Sequence, residues 1–305
     1  MTHCDLLIIG AGVAGMSAAI AAWESGCRSI LLLDRSTLPG GILPQCVHEG
    51  FGPEELTGPA YAERLRQRLS HTGVRLLLGR QVLSVSKEKT AVVSGGESLE
   101  TISFEKLILA AGCRERSIGS LLLGGTRPAG IFTAGQAQEM INLHHWSIGQ
   151  RIVIVGSGDL GMIMARRFTL EGKTVEAVLE QNGRYGGMAR NYRRCIEAYQ
   201  IPILYRTVLR EIHGMPRVTG VIAEHLDSGA RETLSCDTLV TALGLIPEQT
   251  LARDLGDPPW LFYAGNCRRV HDMAESAAAE GETVGRAAAA FTGKRPIYPN
   301  SPQLD

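Results

Sequence analysis

Asp5–Gly15 reads DLLIIGAGVAG and Arg151–Gly161 reads RIVIVGSGDLG, the same pattern displaced by 146 residues. Each copy has an apolar run, then Gly-x-Gly-x-x-Gly, then a stretch with helical spacing. The offset persists beyond the glycines. An apolar strand ends in an acid in both copies, SILLLD at Asp34 and VEAVLE at Glu180, each 24 residues after the first glycine. Glycine pairs follow at Gly40-Gly41 and Gly186-Gly187, each starting 30 residues after the first glycine. Later stretches agree more loosely, and each copy closes on an apolar strand and a small-residue turn, KLILAAG (Lys106–Gly112) and TLVTALG (Thr238–Gly244). The predicted module is βαβ, a helix, a β-meander and a closing strand, used twice.

The glycines have a physical reason. In such a turn the first allows a tight strand-to-helix reversal. The second lets a pyrophosphate approach the backbone, and the third lets helix and strand pack closely. The helix N-terminus presents amide groups and the positive end of its dipole to phosphate. An acid at the end of the second strand suits a ribose diol. Gly10, Gly12, Gly15, Asp34, Arg35, Gly40 and Gly41 are therefore candidate dinucleotide contacts in the first copy. Gly156, Gly158, Asp159, Gly161 and Glu180 are candidates in the second. A carboxylate at Glu180 favours NAD over NADP, because it repels a 2′-phosphate; Arg184 is the nearby base that could reverse that preference.

Composition narrows the rest. The chain has 305 residues, enough for two domains, and 36 are glycine. With only 13 prolines and no Gly-X-Y period it is neither a disordered linker nor collagen. Thirty-one basic residues balance 31 acidic ones, so no net field draws in nucleic acid or an anionic membrane. Leu6–Trp23 is apolar, but three glycines interrupt it and no basic stretch precedes it. It reads as neither a leader nor a membrane span, and the cytoplasm is the expected compartment. Seven scattered cysteines, no two closer than 19 residues, form no CxxC and read as thiols. Histidine spacing gives no metal site.

Two dinucleotide modules in one chain suggest FAD and a nicotinamide nucleotide exchanging hydride. After Gly244, WLFYAGNCRRVHDMAESAAAEGETVG (Trp260–Gly285) reads as a short strand, a glycine turn and an Ala-rich helix. In two-dinucleotide flavoproteins a segment of this kind returns to the first module and completes the flavin site, which would make the first module the FAD site and the second an inserted nicotinamide domain. Ala111 and Gly112 at the closing turn, with Gly265 and Asn266, join the FAD candidates.

These pieces resemble the pyridine nucleotide-disulfide oxidoreductase superfamily in its compact, thioredoxin-reductase-like form. The resemblance is carried by LLIIGAGVAG (Leu6–Gly15), Gly40-Gly41, ELTGPAYAERL (Glu55–Leu65), LILAAG (Leu107–Gly112), GSGDLG (Gly156–Gly161) and YAGN (Tyr263–Asn266). A narrower likeness is to flavin subunits that act with a second flavoprotein dehydrogenase, of the hydrogen cyanide synthase, opine oxidase, proline dehydrogenase and glycerol-3-phosphate dehydrogenase-associated kinds. It rests on GGILPQCVHEGFG (Gly40–Gly52), RPAGIFTAGQAQ (Arg127–Gln138), GDLGMIMARRFTLEG (Gly158–Gly172) and VHDM (Val270–Met273). The resemblance implies an α/β fold of two Rossmann-like three-layer ββα domains, the second inserted in the first. Residues 1–115 and 245–305 would bind FAD and residues 116–244 would bind NAD(H). It implies hydride transfer between NAD(H) and flavin, with electrons passed to or from a partner dehydrogenase subunit or a small acceptor; a homodimer is the other partner expectation. It also places Ser276 and Ala277 at the pyrimidine end of the flavin.

Two departures stand out. Disulfide reductases of this superfamily carry a CxxC or CxxxxC dithiol, and this chain has neither. Asn266 stands where the flavin motif usually has Asp, so it accepts a hydrogen bond without bringing charge. Cys46 reads as a buried small hydrophobe, its alternative being a redox-active thiolate that His48 could tune. His271 is a catalytic candidate facing the flavin, and Asp272 reads as a helix cap. RNYRR (Arg190–Arg194) reads as a solvated helix face. A thiol/disulfide reductase using Cys46 and a non-catalytic FAD-binding subunit are the alternatives.

Overall fold

A computed structural model of the protein describes residues 2–96 and 98–293. The chain falls into two units. The first comprises the residues up to Arg114 together with those from Ile246 onward; the second is Glu115–Leu245.

In the first unit five strands run parallel in the order Arg75–Leu77, Ile30–Leu33, Thr2–Ile9, Ser98–Leu109, Leu261–Tyr263. The long strand Ser98–Leu109 also pairs antiparallel, through its first half, with Thr90–Gly95, which pairs with Gln81–Val85. Both faces of the parallel sheet are covered, so its strands are apolar throughout rather than alternating. Leu6, Ile8, Ile30, Leu32 and Ile108 face the helices. Their neighbours Leu7, Ile9, Leu31, Leu33 and Leu107 face the meander residues Val82, Ala91 and Val93. The period of two thus divides one apolar run between two cores, giving helices, sheet and meander as three layers.

Helix Val13–Glu24 is buried continuously from Ala14 to Ala22. The C-terminal helix Ala274–Ala290 lies against it so closely that a Cβ at Gly281 or Gly285 would strike the carbonyl oxygens of Ala14 or Ala18. Glycine costs about 1 kcal/mol against alanine inside a helix. Here it is required by the spacing of two backbones, a small-residue seam with Ala14 and Ala18 opposite Gly281 and Gly285.

The second unit repeats the plan. Its parallel order is Ile203–Tyr205, Thr174–Glu180, Arg151–Val155, Thr238–Thr241, Ile131–Thr133. Ile152, Ile154, Val178 and Val240 face the helices, including Ala134–Asn142 and Asp159–Leu170. Val153, Val155, Leu179 and Leu239 face a second sheet, Thr207–His213, Gly220–His225 and Arg231–Ser235, with Gly124–Gly125 on its edge.

The duplication survives at the level of single hydrogen bonds. Gly10 N–H donates to Leu33 O at 2.8 Å and Gly156 N–H to Leu179 O at 2.8 Å. Ala110 N–H donates to Ile9 O, and Ala242 N–H to Val155 O, again at 2.8 Å. Even the small helix Leu43–Gln45 has its counterpart on the same offset at Ala189–Asn191. One correspondence escapes the offset. LFYAG (261–265) and IFTAG (131–135) are the fifth strands of their sheets, each leading into a helix. That strand comes last in the first unit and first in the second, a permutation that alignment at 146 residues cannot show.

The seam between the two helices predicts that Gly285→Val destabilises the protein by about 3 kcal/mol, since overpacking against backbone has no rotamer to relieve it. The exposed Ala290→Val should stay within about 0.5 kcal/mol. Urea unfolding followed by circular dichroism compares them, and equal costs would contradict the packing described.

Candidate functional site

The two glycine motifs match position by position. The first glycines have left-handed backbones, φ +106° at Gly10 and +104° at Gly156. A Cβ there would collide with the carbonyl oxygens of Ala110 and Ala242. At the third glycines, Gly15 and Gly161, a Cβ would collide with the carbonyls of Gly10 and Gly156. The fold itself demands these four. The second glycines differ. Gly12 (φ −75°) and Gly158 (φ −63°) have backbones any residue adopts. A Cβ at Gly158 would meet nothing within 4 Å, and one at Gly12 only Gly41 Cα at 3.8 Å. The open space lies before helix N-termini that no side chain caps. That is a cradle fitted to a phosphate-bearing ligand, and the residues present fit the diphosphate of FAD or a nicotinamide nucleotide.

The two acids are engaged with those turns. Asp34 accepts the Ala11 N–H through Oδ2 at 2.7 Å and the Ser36 N–H through Oδ1 at 2.8 Å. Arg35 beside it is exposed. Glu180 is 5% exposed. Its Oε2 accepts the Ser157 N–H at 3.2 Å and the Ser157 hydroxyl. Its Oε1 accepts the backbone and side-chain N–H groups of Asn182, both at 2.8 Å. A carboxylate offers about four lone-pair sites. Asp34 has spent two on these bonds, whereas those of Glu180 are all in use. Each acid therefore fastens the glycine turn to the end of the second strand, a duty the spacing alone does not reveal.

The glycine pairs fold back on the same turns. Gly40 N–H donates to Ala11 O at 2.8 Å; Gly186 and Gly187 donate to Ser157 O at 3.2 Å. A Cβ at Gly41 would press on Gly12 Cα at 3.1 Å. Asp159, expected beside the nucleotide, accepts the Met188 N–H at 2.8 Å and the Asn191 amide at 2.6 Å, holding the following loop to its helix.

On the same carboxyl edge of the sheet, beside the first glycine turn, Ala111 and Gly112 are half-buried beyond the closing strand. Gly265 N–H donates to Glu280 Oε2 at 2.7 Å. His271, its side chain only 7% exposed, brings Nε2 to 2.9 Å from the same oxygen, and Arg268 stands 3.5 Å from Oε1. Asn266 uses both ends of its amide, accepting the His271 N–H at 3.0 Å and donating to Cys113 Sγ at 3.6 Å. An aspartate could not make the second bond. The cap of helix Ala274–Ala290 is Met273, not Asp272, and no side chain bonds to that end. Ser276 is exposed at this terminus and Ala277 is buried. Glu280 was not foreseen, because an acid in an Ala-rich helix reads as a solvated position.

Two cysteines flank Asn266, Cys113 in contact and Cys267 in sequence. Cys46 is buried, donates to Ile42 O at 3.3 Å, and burial pushes its thiol up to about 12. Cys267 is likewise pushed to about 12 by burial. In the second unit Cys195 and Cys236 lie in apolar clusters on opposite faces of the parallel sheet, so they cannot act as a dithiol. Arg190 is exposed just before the π-helical turn Tyr192–Ile196, and Arg193 is exposed within it. Among the described residues no group of three His, Cys, Asp or Glu could hold a metal, and no helix is long and apolar enough to cross a membrane.

The sequence pattern of the pyridine nucleotide-disulphide oxidoreductase family matches residues 4–258, and the chain belongs to that family. Sarcosine oxidase subunit alpha of Rhizobium meliloti is 27% identical over 275 residues, 84% of this chain and 26% of that protein. Hydrogen cyanide synthase subunit HcnB of Pseudomonas protegens is 28% identical over 279 residues, 82% of this chain and 58% of that one. The chain thus spans less than two thirds of either relative. In fold it is similar to the crystal structure of Lactococcus lactis thioredoxin reductase, with a TM-score of 0.77 at 19% identity over 93% of this chain and 97% of that one.

The raised thiol predicts that Cys46 reacts with iodoacetamide at pH 8 roughly a thousandfold more slowly in the native protein than in urea, because the thiolate is the nucleophile. Mass spectrometry of the Cys46 peptide measures this, and equal rates would contradict the buried geometry.

Proposed function

We propose that this member of the family is an FAD-dependent NAD(P)H oxidoreductase, its first unit holding FAD and its second a nicotinamide nucleotide. The observation that carries the reading is the second glycine of each motif. Neither Gly12 nor Gly158 is required by its own backbone or neighbours, yet both leave open the space in front of an uncapped helix. In the first unit the turn Gly10–Gly15 would receive the diphosphate, with Gly40 and Gly41 beside it. Asp34, with lone pairs to spare, would take the adenosine ribose. Gly265, Asn266 and the uncapped start of the helix carrying Ser276 and Ala277 would receive the flavin end, with Ala111 and Gly112 alongside. The bound flavin supplies the hydride chemistry. What the chain contributes is position: fixed turns, aimed amides and a His271–Glu280 pair that locks the Gly265 turn.

In the second unit Gly156, Gly158 and Gly161 would seat the nucleotide diphosphate. Glu180 disfavours a 2′-phosphate, so NAD is preferred to NADP. Its acceptor sites are taken, so a ribose hydroxyl there would replace a bond from Ser157 or Asn182. Electrons would pass to or from a partner flavoprotein dehydrogenase or a small acceptor; the names of the sarcosine oxidase and hydrogen cyanide synthase relatives mark them as subunits. A thiol/disulfide reductase is disfavoured by the burial of Cys46 and the separation of Cys195 from Cys236.

The two cradles are tested separately. Gly158→Val should unfold within about 1 kcal/mol of the parent and retain flavin, but lose at least about tenfold in NADH affinity, a loss of about 1.4 kcal/mol. Gly12→Val should be purified without flavin. Difference spectroscopy and flavin content are the measurements, and Gly158→Val binding NADH like the parent would overturn the assignment of the second unit.

A further inference from the structure

The two units share a backbone plan but differ in what stands beside the second acid. On the offset of 146 residues, Tyr185 corresponds to Pro39 and Tyr192 to Cys46. Leu33 pairs with Leu77 and Leu179 with Leu204, so Tyr205, the strand partner of Glu180, corresponds to Leu78. Three aromatic rings thus occur in the second unit where the first has none. The Tyr185 and Tyr192 rings are stacked, with centroids 4.3 Å apart and planes 12° from parallel. Burial first, then the neighbouring Tyr192 and Tyr185, raise the Tyr205 hydroxyl above its ordinary value.

The support of these rings is also peculiar to the second unit. After Ala189–Asn191 the chain makes the π-helical turn Tyr192–Ile196, which places Tyr192 against Tyr185. Such turns occur frequently at functional sites. The loop beyond Glu180 is held by the Arg206 N–H donating to Asn182 O at 3.1 Å, and Arg206 is itself clasped by Asp227 at 2.6 Å. All three tyrosines are half-buried, and Tyr185 and Tyr192 pack against the helix-side core. They stand at the carboxyl ends of the second and third strands of a doubly wound sheet, where such folds bind ligands.

We propose that Tyr185, Tyr192 and Tyr205 form a stacking platform for the purine ring of an adenine nucleotide, which the second unit recognises through its base. This rests on the reading that the unit binds a nicotinamide dinucleotide, and adds how the adenosine half is held. With every lone pair of Glu180 already engaged, a ribose bond there exchanges one partner for another and adds little. An aromatic face costs no such exchange, and stacking a base on it is worth about 1–3 kcal/mol.

The test uses the flavin-loaded full chain and two probes, ADP-ribose and nicotinamide mononucleotide, titrated by calorimetry. Tyr185→Leu should weaken ADP-ribose by about tenfold. Nicotinamide mononucleotide binding, flavin content and the melting temperature should be unchanged, and Tyr185→Phe should retain the parent affinity. Tyr205→Leu should behave like Tyr185→Leu. ADP-ribose binding by the leucine variants within twofold of the parent would overturn the platform. Parallel loss of both probes together with a lower melting temperature would also overturn it, by showing that the rings only support the fold. A parent that binds neither ADP-ribose nor NADH would overturn the nicotinamide reading itself.

Discussion

A carbonyl oxygen occupies the place where a side chain would begin. At Gly10 the Ala110 carbonyl lies where a Cβ would stand, and at Gly156 the Ala242 carbonyl does the same. This contact presses the end of the closing strand onto the turn between the first strand and its helix, which is why the turn must be left-handed and must be glycine. From it follow the tightness of the reversal, the placing of the helix N-terminus at the carboxyl edge of the sheet, and the cradle that Gly12 or Gly158 leaves open. The bonds Asp34 to Ala11 and Glu180 to Ser157 then tie the second strand to the same turn. Three strands of each parallel sheet therefore converge on one short loop.

Much of this is legible in the chain because the turn is chemically expensive and leaves a local signature. Two acids and two glycine pairs lie at fixed distances from their motifs, and the structure reproduces the repeat down to matching hydrogen bonds. What could not be read depends on contacts distant in sequence. The fifth strands, Ile131–Thr133 and Leu261–Tyr263, are related by a permutation rather than a shift. The Gly281–Gly285 seam is visible only once Ala14 and Ala18 are known to lie opposite. Glu280 looks like a solvated acid until Gly265, Arg268 and His271 are seen to converge on it. Asp272, a plausible cap by residue type, is displaced by one position because the helix begins after Met273.

The units diverge around the acid of the second strand while keeping one architecture. Asp34 has acceptor capacity to spare beside an open turn. Glu180 is filled by its own neighbours and stands among tyrosines instead. Sequence treats the two acids alike because spacing records position, whereas occupancy depends on the side-chain bonds of Ser157 and Asn182 to Glu180; Ala11 and Ser36 bond Asp34 through their backbones alone. The cysteines follow the same logic. Cys195 and Cys236 belong to different apolar clusters, one on each face of their sheet, which spacing in the chain does not reveal.

The central claim is that two cradles in one chain bring a nicotinamide nucleotide and a flavin into the same protein for electron exchange. The most direct measurement is anaerobic titration of the flavin-loaded protein with NADH and then NADPH, following the flavin absorbance between about 350 and 550 nm, where the oxidised ring absorbs. The account predicts bleaching by NADH at lower concentration than by NADPH. Flavin absorbance unchanged by either nucleotide would contradict it.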